Sequence, residues 1–247
     1  MGINFPMLPI PLILREPFQG ARNKQNPLFS VLRVSETLGG VNFIVRAGDR
    51  LKTVKIGFAS DIDLCQLKSW QKLELRSDSP HARDAIEFSK LAAKWWRYYY
   101  RLGASAESLK ELKTKAVSDP KREFAFLVLA RADWLASNSV LGLCCCRRTW
   151  CNHIVLEFAA VHPMVLDDAA RNIRGVGTGM LHSLICIADE IGAGTVWGEA
   201  TENSAPFYEK VLRIPRVGDH FIITGRTMER CRRQFEVLKS ENALQNS

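Results

Sequence analysis

The sequence contains no run of the roughly 20 apolar residues that a membrane span requires. It contains no CxxC pair of the kind that holds structural zinc, no internal repeat and no low-complexity tract. Its seven cysteines, Cys65, Cys144, Cys145, Cys146, Cys151, Cys186 and Cys231, are odd in number, and three are consecutive. Neighbouring residues on a strand point to opposite faces, so the triplet does not form a disulfide framework. Reduced thiols are expected, and with them a cytoplasmic protein without a metal site. The glycine-rich segment in the second half lacks the Gly-Lys-Ser/Thr of a Walker A loop, and it also lacks GxGxxG. Those two classes of nucleotide site are therefore excluded. The start, MGINFPMLPIPLILREP, is apolar but has no basic leading region. Pro6, Pro9 and Pro11 would break the helix of a secretory signal. An extended arm, packed on the body or on a partner, is expected there.

Of the 247 residues, 47% are hydrophobic and 24% charged, which suits a globular protein with a substantial core. The net charge of +8 favours anionic partners. It does not choose between nucleic acid, an acidic protein and a polyphosphate cofactor.

Two β-like runs, 41–46 and 51–58, flank a turn-like Ala-Gly-Asp-Arg. The stretch 61–76 is ambiguous. Ser77-Asp-Ser-Pro80 is a break and a helix start. From His81 to Leu102, residues Phe88, Leu91, Ala92, Trp95, Tyr99 and Leu102 fall at helical spacing and predict one apolar face. Lys90, Lys94, Arg97 and Arg101 form a second stripe. A shorter helix is expected over 105–116, strands over 123–131, 139–147 and 152–161, and a helix over 178–191. A strand over 195–201, a short helix over 204–212 and a strand over 221–224 follow.

Between the third of those strands and the 178–191 helix lies Arg174-Gly175-Val176-Gly177-Thr178-Gly179. The first N–H groups of a helix have no internal acceptor and carry partial positive charge. Glycines let an anion approach the backbone, and Arg171 and Arg174 add charge nearby. After the next strand comes Thr201-Glu-Asn203-Ser-Ala-Pro-Phe-Tyr208-Glu-Lys210. Together these segments resemble the GNAT superfamily of acyl-CoA transferases, whose signature Arg/Gln-x-x-Gly-x-Gly/Ala matches Arg174, Gly177 and Gly179. Val161-His-Pro163 is similar to the exit of that family's fourth strand. The resemblance runs from about Glu123 to Gly225. The sequence departs from the family in an insertion at 164–172, in Thr201 where many members have asparagine, and in Leu212 near a frequent glycine.

The resemblance implies an α/β (α+β) fold with a mixed, largely antiparallel central sheet flanked by helices. It implies a transferase domain over 79–247. Residues 1–78 would then be an N-terminal extension, an arm plus a β-hairpin packed on the core. It further implies transfer of an acetyl group from acetyl-CoA to a primary amine by direct attack in a ternary complex, without metal. The cofactor would be held by Arg174, Gly175, Val176, Gly177, Thr178 and Gly179, with Thr201 and Asn203 on its pantetheine arm. Backbone N–H groups near Ala160 and Val161 would face the oxyanion. Tyr208 would protonate the departing thiolate, and Glu157 would serve as base, with Glu199 the alternative. His162 is expected to be structural, and His153 beside Cys151 is poor nucleophile geometry.

The basic stripe is interleaved with Trp96, Tyr98 and Tyr100, a combination that single-stranded nucleic acid recognition uses. A basic acceptor wall would favour an acidic or phosphate-bearing acceptor. The competing function is a GNAT-like binding module that uses this helix on nucleic acid or an acidic protein, with little or no turnover. Nucleic acid is the less favoured partner, and a homodimer is compatible with exposed strand edges. A longer acyl donor is a third reading.

Overall fold

The computed structural model describes residues 41–73, 79–135, 139–167 and 172–245, all within the unit Thr37–Ser247. The expected N-terminal arm and Arg171 lie outside the described residues. The chain opens with β1 (Val41–Ala47) and β2 (Arg50–Phe58), an antiparallel hairpin that turns at Gly48 with φ +59°. The region with ambiguous sequence becomes α1 (Asp61–Trp70). Its start is a capping box, in which Ser60 N–H and Oγ–H both donate to Asp63 at 2.7 Å. Then come α2 (Pro80–Arg101), β3 (Ser105–Ala106), α3 (Leu109–Ser118), β4 (Phe124–Ala132), β5 (Ser139–Arg148) and β6 (Ile154–Val161). The second half holds α4 (Pro163–Asp167), β7 (Ile173–Arg174), α5 (Val176–Glu190) and β8 (Thr195–Glu199). It ends with α6 (Ala205–Leu212), β9 (His220–Thr224) and α7 (Gly225–Gln245).

Among the described residues nine strands form one sheet in the order β7-β1-β2-β4-β5-β6-β8-β9, with β3 paired in parallel to β4. All other pairings are antiparallel except β6 with β8. This is the mixed, largely antiparallel α/β sheet expected. The 41–58 hairpin is not a separate layer: β2 pairs with β4, and β1 with β7. β4 reads Phe-Ala-Phe-Leu-Val-Leu-Ala-Arg-Ala because helices cover both of its faces. Phe126, Val128 and Ala130 join the cluster with α5 and α7, while Leu127 and Leu129 join the cluster with α1 and α2. The cysteine triplet splits the same way, with Cys144 and Cys146 on the α5 face and Cys145 on the α2 face. All seven cysteines are free thiols.

The apolar face expected on α2 is rotated. The buried stripe is Ala82, Ala85, Ser89, Ala92, Ala93 and Trp96. Leu91 and Leu102 are exposed, while Phe88, Trp95 and Tyr99 are half-buried. Small residues let the helix lie close to the sheet, so the large apolar residues flank the contact instead of making it. Phe88 and Trp95 both pack on Phe158 of β6. Trp96 is fully buried and stacks against Tyr100 at 4.8 Å, so its ring is withdrawn from the surface. α7, which sequence periodicity did not bring out, packs on α5 and β1 through Met228, Cys231 and Phe235. Among the described residues no helix is long and apolar enough to cross a membrane.

Candidate functional site

The site begins with two irregularities in β6. Cys145 pairs with Phe158 and Cys146 with Leu156, which leaves Glu157 as an extra, bulged residue. On the other side, β6 pairs with β8 only at Ile154↔Val196, Val155↔Trp197 and Leu156↔Gly198. Gly198 permits this close approach, since a Cβ there would stand 2.7 Å from the Leu156 carbonyl oxygen. Beyond that pair the two parallel strands diverge, and residues 157–161 have no strand partner on the β8 side among the described residues.

A cavity of about 300 Å³ lies at this divergence. The sheet contributes Leu143 and Cys144 from β5, and Leu156, Ala159, Ala160 and Val161 from β6. Leu143 and Ala160 belong to the α2 face, whereas Cys144, Leu156, Ala159 and Val161 belong to the α5 face. The cavity is thus a slot through the sheet, open to chemistry from both layers. One rim is the start of α2, with His81, Asp84, Ala85 and Phe88. Leu166 of α4 and Gly177, Met180 and Leu181 of α5 form further walls. The last wall is Thr201, Asn203, Ser204, Phe207 and Tyr208, from the turn before α6 and from α6 itself.

Of the residues singled out in the sequence, Ala160, Val161, Gly177, Thr201, Asn203 and Tyr208 come together around this cavity. Gly175 caps α5 with φ +98°, a conformation that a side chain rarely adopts. A Cβ on Gly177 would stand 3.3 Å from the Phe207 ring and 3.7 Å from Val161, inside the space that the cavity uses. Gly179 is different: a Cβ there would run into the ring of Phe43 on β1, so packing explains that glycine. Arg174 is exposed on β7, opposite Arg46 of β1, and does not line the cavity. Val176 is buried beneath the turn, and Thr178 lies outside the lining.

Tyr208 is almost fully buried, stacked on Phe221 at 4.0 Å and set edge-on to Phe207 at 5.2 Å. Burial pushes its phenol above the usual range, with Cys144 and Cys146 adding to the effect. It is therefore a neutral proton donor at ordinary pH. Burial likewise pushes Cys144 up to about 12, so it is a neutral thiol. Glu157 is not in the lining. Its carboxylate accepts from Arg147 Nε at 2.8 Å, and Arg147 also donates to Glu123 at 2.6 Å. Glu199, the alternative base, is exposed and lies outside the lining. His162 sits edge-on to Trp70 at 4.9 Å, and its Nδ1 accepts from the Met164 N–H. Among the described residues, no three His, Cys, Asp or Glu side chains assemble into a metal-holding group.

His81 and Asp84 also line the cavity and carry no signal in the sequence. They are one helical turn apart and precede the strands that carry the recognisable motifs, so no local pattern singles them out. Asp84 Oδ2 accepts from Asn203 Nδ2 at 3.0 Å, across 119 positions of sequence.

No family model matches the chain, and no curated protein matches it by sequence. A solved structure described as nourseothricin acetyltransferase matches at 20% identity with a TM-score of 0.29. The match covers 35% of this chain and 48% of that one, so the chain spans about half the length of that structure. A likeness of this degree carries no weight for function.

Proposed function

We propose that this protein is an acetyl-CoA-dependent N-acetyltransferase acting on a primary amine. The observation that carries the reading is the slot opened where β6 leaves β8, bounded jointly by Gly177 at the start of α5 and by Tyr208. The signature segment supports the donor side. The N–H groups of the first turn of α5 have no acceptor within the helix, and Gly175 and Gly177 keep side chains away from them. A pyrophosphate would lie there, with the thioester reaching into the slot.

In this reading the amine nitrogen attacks the thioester carbonyl carbon. A C–N bond forms, negative charge gathers on the carbonyl oxygen, and backbone N–H groups near Ala160 and Val161 stabilise it. The C–S bond then breaks, and the Tyr208 phenol gives its proton to the departing sulfur. The alkylammonium releases two protons in all. One restores Tyr208 and the other goes to solvent, so the products are amide, free thiol and one proton. An alkylammonium titrates near 10.4, so its first deprotonation must be assisted by water or a base in the slot. Glu157, held by Arg147 outside the lining, is not assigned that task.

Calorimetric titration with CoA, joined to a thiol-release assay over a panel of amines, tests the reading. Binding of CoA and amine-dependent thiol release are expected. A chain that neither binds CoA nor releases thiol, yet binds RNA or DNA with steep salt dependence, would be the binding module instead.

A further inference from the structure

The cavity lining contains one carboxylate, Asp84, and among the described lining residues no Lys or Arg. The basic stripe Lys90, Lys94, Arg97 and Arg101 runs along the same helix but does not reach the lining. Two other carboxylates of low exposure have cations, Asp63 with Arg131 and Glu157 with Arg147. Among the described residues Asp84 is in no ion pair. Among the described residues its polar contact is the amide of Asn203, which donates to Oδ2 and leaves Oδ1 without a partner. Along the helix its lining neighbours are His81, one turn earlier, and the apolar Ala85 and Phe88, and α4 adds the apolar Leu166. Asp84 is half-exposed in the lining of a largely apolar cavity, so Oδ1 is open to a charge-assisted hydrogen bond from a ligand.

We propose that Asp84 anchors the acceptor, and that the acceptor is a cationic amine on an apolar body with no anionic group of its own. This rests on the acetyltransferase reading above and reverses the expectation of an acidic or phosphate-bearing acceptor. The free Oδ1 receives the ammonium. Asn203 is a positioning residue: its amide fixes the carboxylate across the slot, between the start of α2 and the turn before α6. Phe88 and Leu166 supply the surface for the apolar body. A second anion on the acceptor would meet Asp84 with no Lys or Arg among the described lining residues to offset it, which gives discrimination by charge.

The test uses the full chain, acetyl-CoA and matched pairs of acceptors. Phenethylamine, tryptamine and octylamine are each set beside the amino acid that carries the same side group plus a carboxylate. The wild type is expected to favour the plain amines by at least about 10-fold in kcat/KM. Asp84→Asn should lower kcat/KM for the plain amines by about 10- to 100-fold, chiefly through KM, which is the range for losing a hydrogen bond to a charged group. Its affinity for CoA, measured by calorimetry, should not change. Asn203→Ala should raise KM for the plain amines by a smaller factor than Asp84→Asn does. Asp84→Lys should shift preference toward the carboxylated partners. Asp84 is half-exposed, so melting temperatures close to wild type are expected for all three. Wild-type kcat/KM in Asp84→Asn overturns the assignment, as does turnover confined to carboxylated acceptors. CoA binding without turnover of any pair overturns the acceptor class and leaves the donor reading in place. Failure to bind CoA overturns the acetyltransferase reading itself.

Discussion

His182 lies on α5, is 3% exposed, and among the described residues has no hydrogen-bond partner for either ring nitrogen. It packs edge-on to Phe235 of α7, with ring centres 6.5 Å apart. Burial lowers its pKa from 6.5 to about 4. The unfolded chain therefore takes up a proton as pH falls through 6.5, while the folded chain resists until about pH 4. Stability is intact above 6.5 and declines across that window, because the unfolded state binds more protons there. A difference of about 2.5 pH units corresponds to roughly 3 kcal/mol lost by pH 4. His182→Leu removes the titrating group. It also removes two buried nitrogens without partners, which should add on the order of 1 kcal/mol at pH 7. Urea melts of both proteins at pH 7.0, 6.0, 5.0 and 4.5 give the comparison. Asp63 and Glu111 titrate in both chains and cancel in the difference. The variant's advantage should widen steadily below pH 6.5. Parallel stability curves for the two proteins would refute the reasoning.

Four further outcomes follow from the same structure. Tyr208→Phe keeps the stack on Phe221 and removes the proton donor, so kcat should fall by about 10²-fold with CoA affinity and melting temperature nearly unchanged; full turnover would remove the acid role. Burial raises the Tyr208 phenol, so thiol-release rates should show no alkaline loss from this group below about pH 10. Gly179→Ala should cost about 1–3 kcal/mol in chemical denaturation, because the added methyl meets the Phe43 ring, and Phe43→Leu in the same chain should recover part of it. Asp63→Asn should cost about 2–3 kcal/mol, since Arg131 Nε and Nη2 donate to its two oxygens at 3.0 and 2.7 Å and would keep an unpaired charge in a half-buried place. Burial pulls the Asp63 carboxyl upward, but the bonds from Arg131 and Ser60 outweigh it and hold it below 3.8. The stabilisation is therefore present at neutral pH and lost only as pH falls through that lowered value.

Strand runs and the two glycine-rich ends of α5 were legible in the sequence because each is local. Alternation and apolar runs mark β4 to β6, and Gly175 and Gly192 mark the ends of α5. The buried face of α2 was not legible. Periodicity weights large apolar residues, while the contact is made by alanines and a serine. The packing reason for Gly179 was not legible for a related cause: its steric partner, Phe43, lies more than 130 positions earlier. Asp84 was invisible for want of a pattern, since only the meeting of α2 with the Thr201–Ser204 turn gives it a partner. Conversely, Glu157 attracts notice on a strand of the right kind, and its partner Arg147 emerges only when the β5–β6 register is known.

The parting of β6 from β8 also bears on how the protein stays apart from its neighbours. An unpaired strand edge is ordinarily a hazard, since any extended chain can add to it. Here three residues of such an edge, Ala159, Ala160 and Val161, line the cavity, to which α5 and α6 also contribute walls. Those residues border a cavity of about 300 Å³ walled by the protein's own helices, so this edge is covered and is not a bare template for another chain.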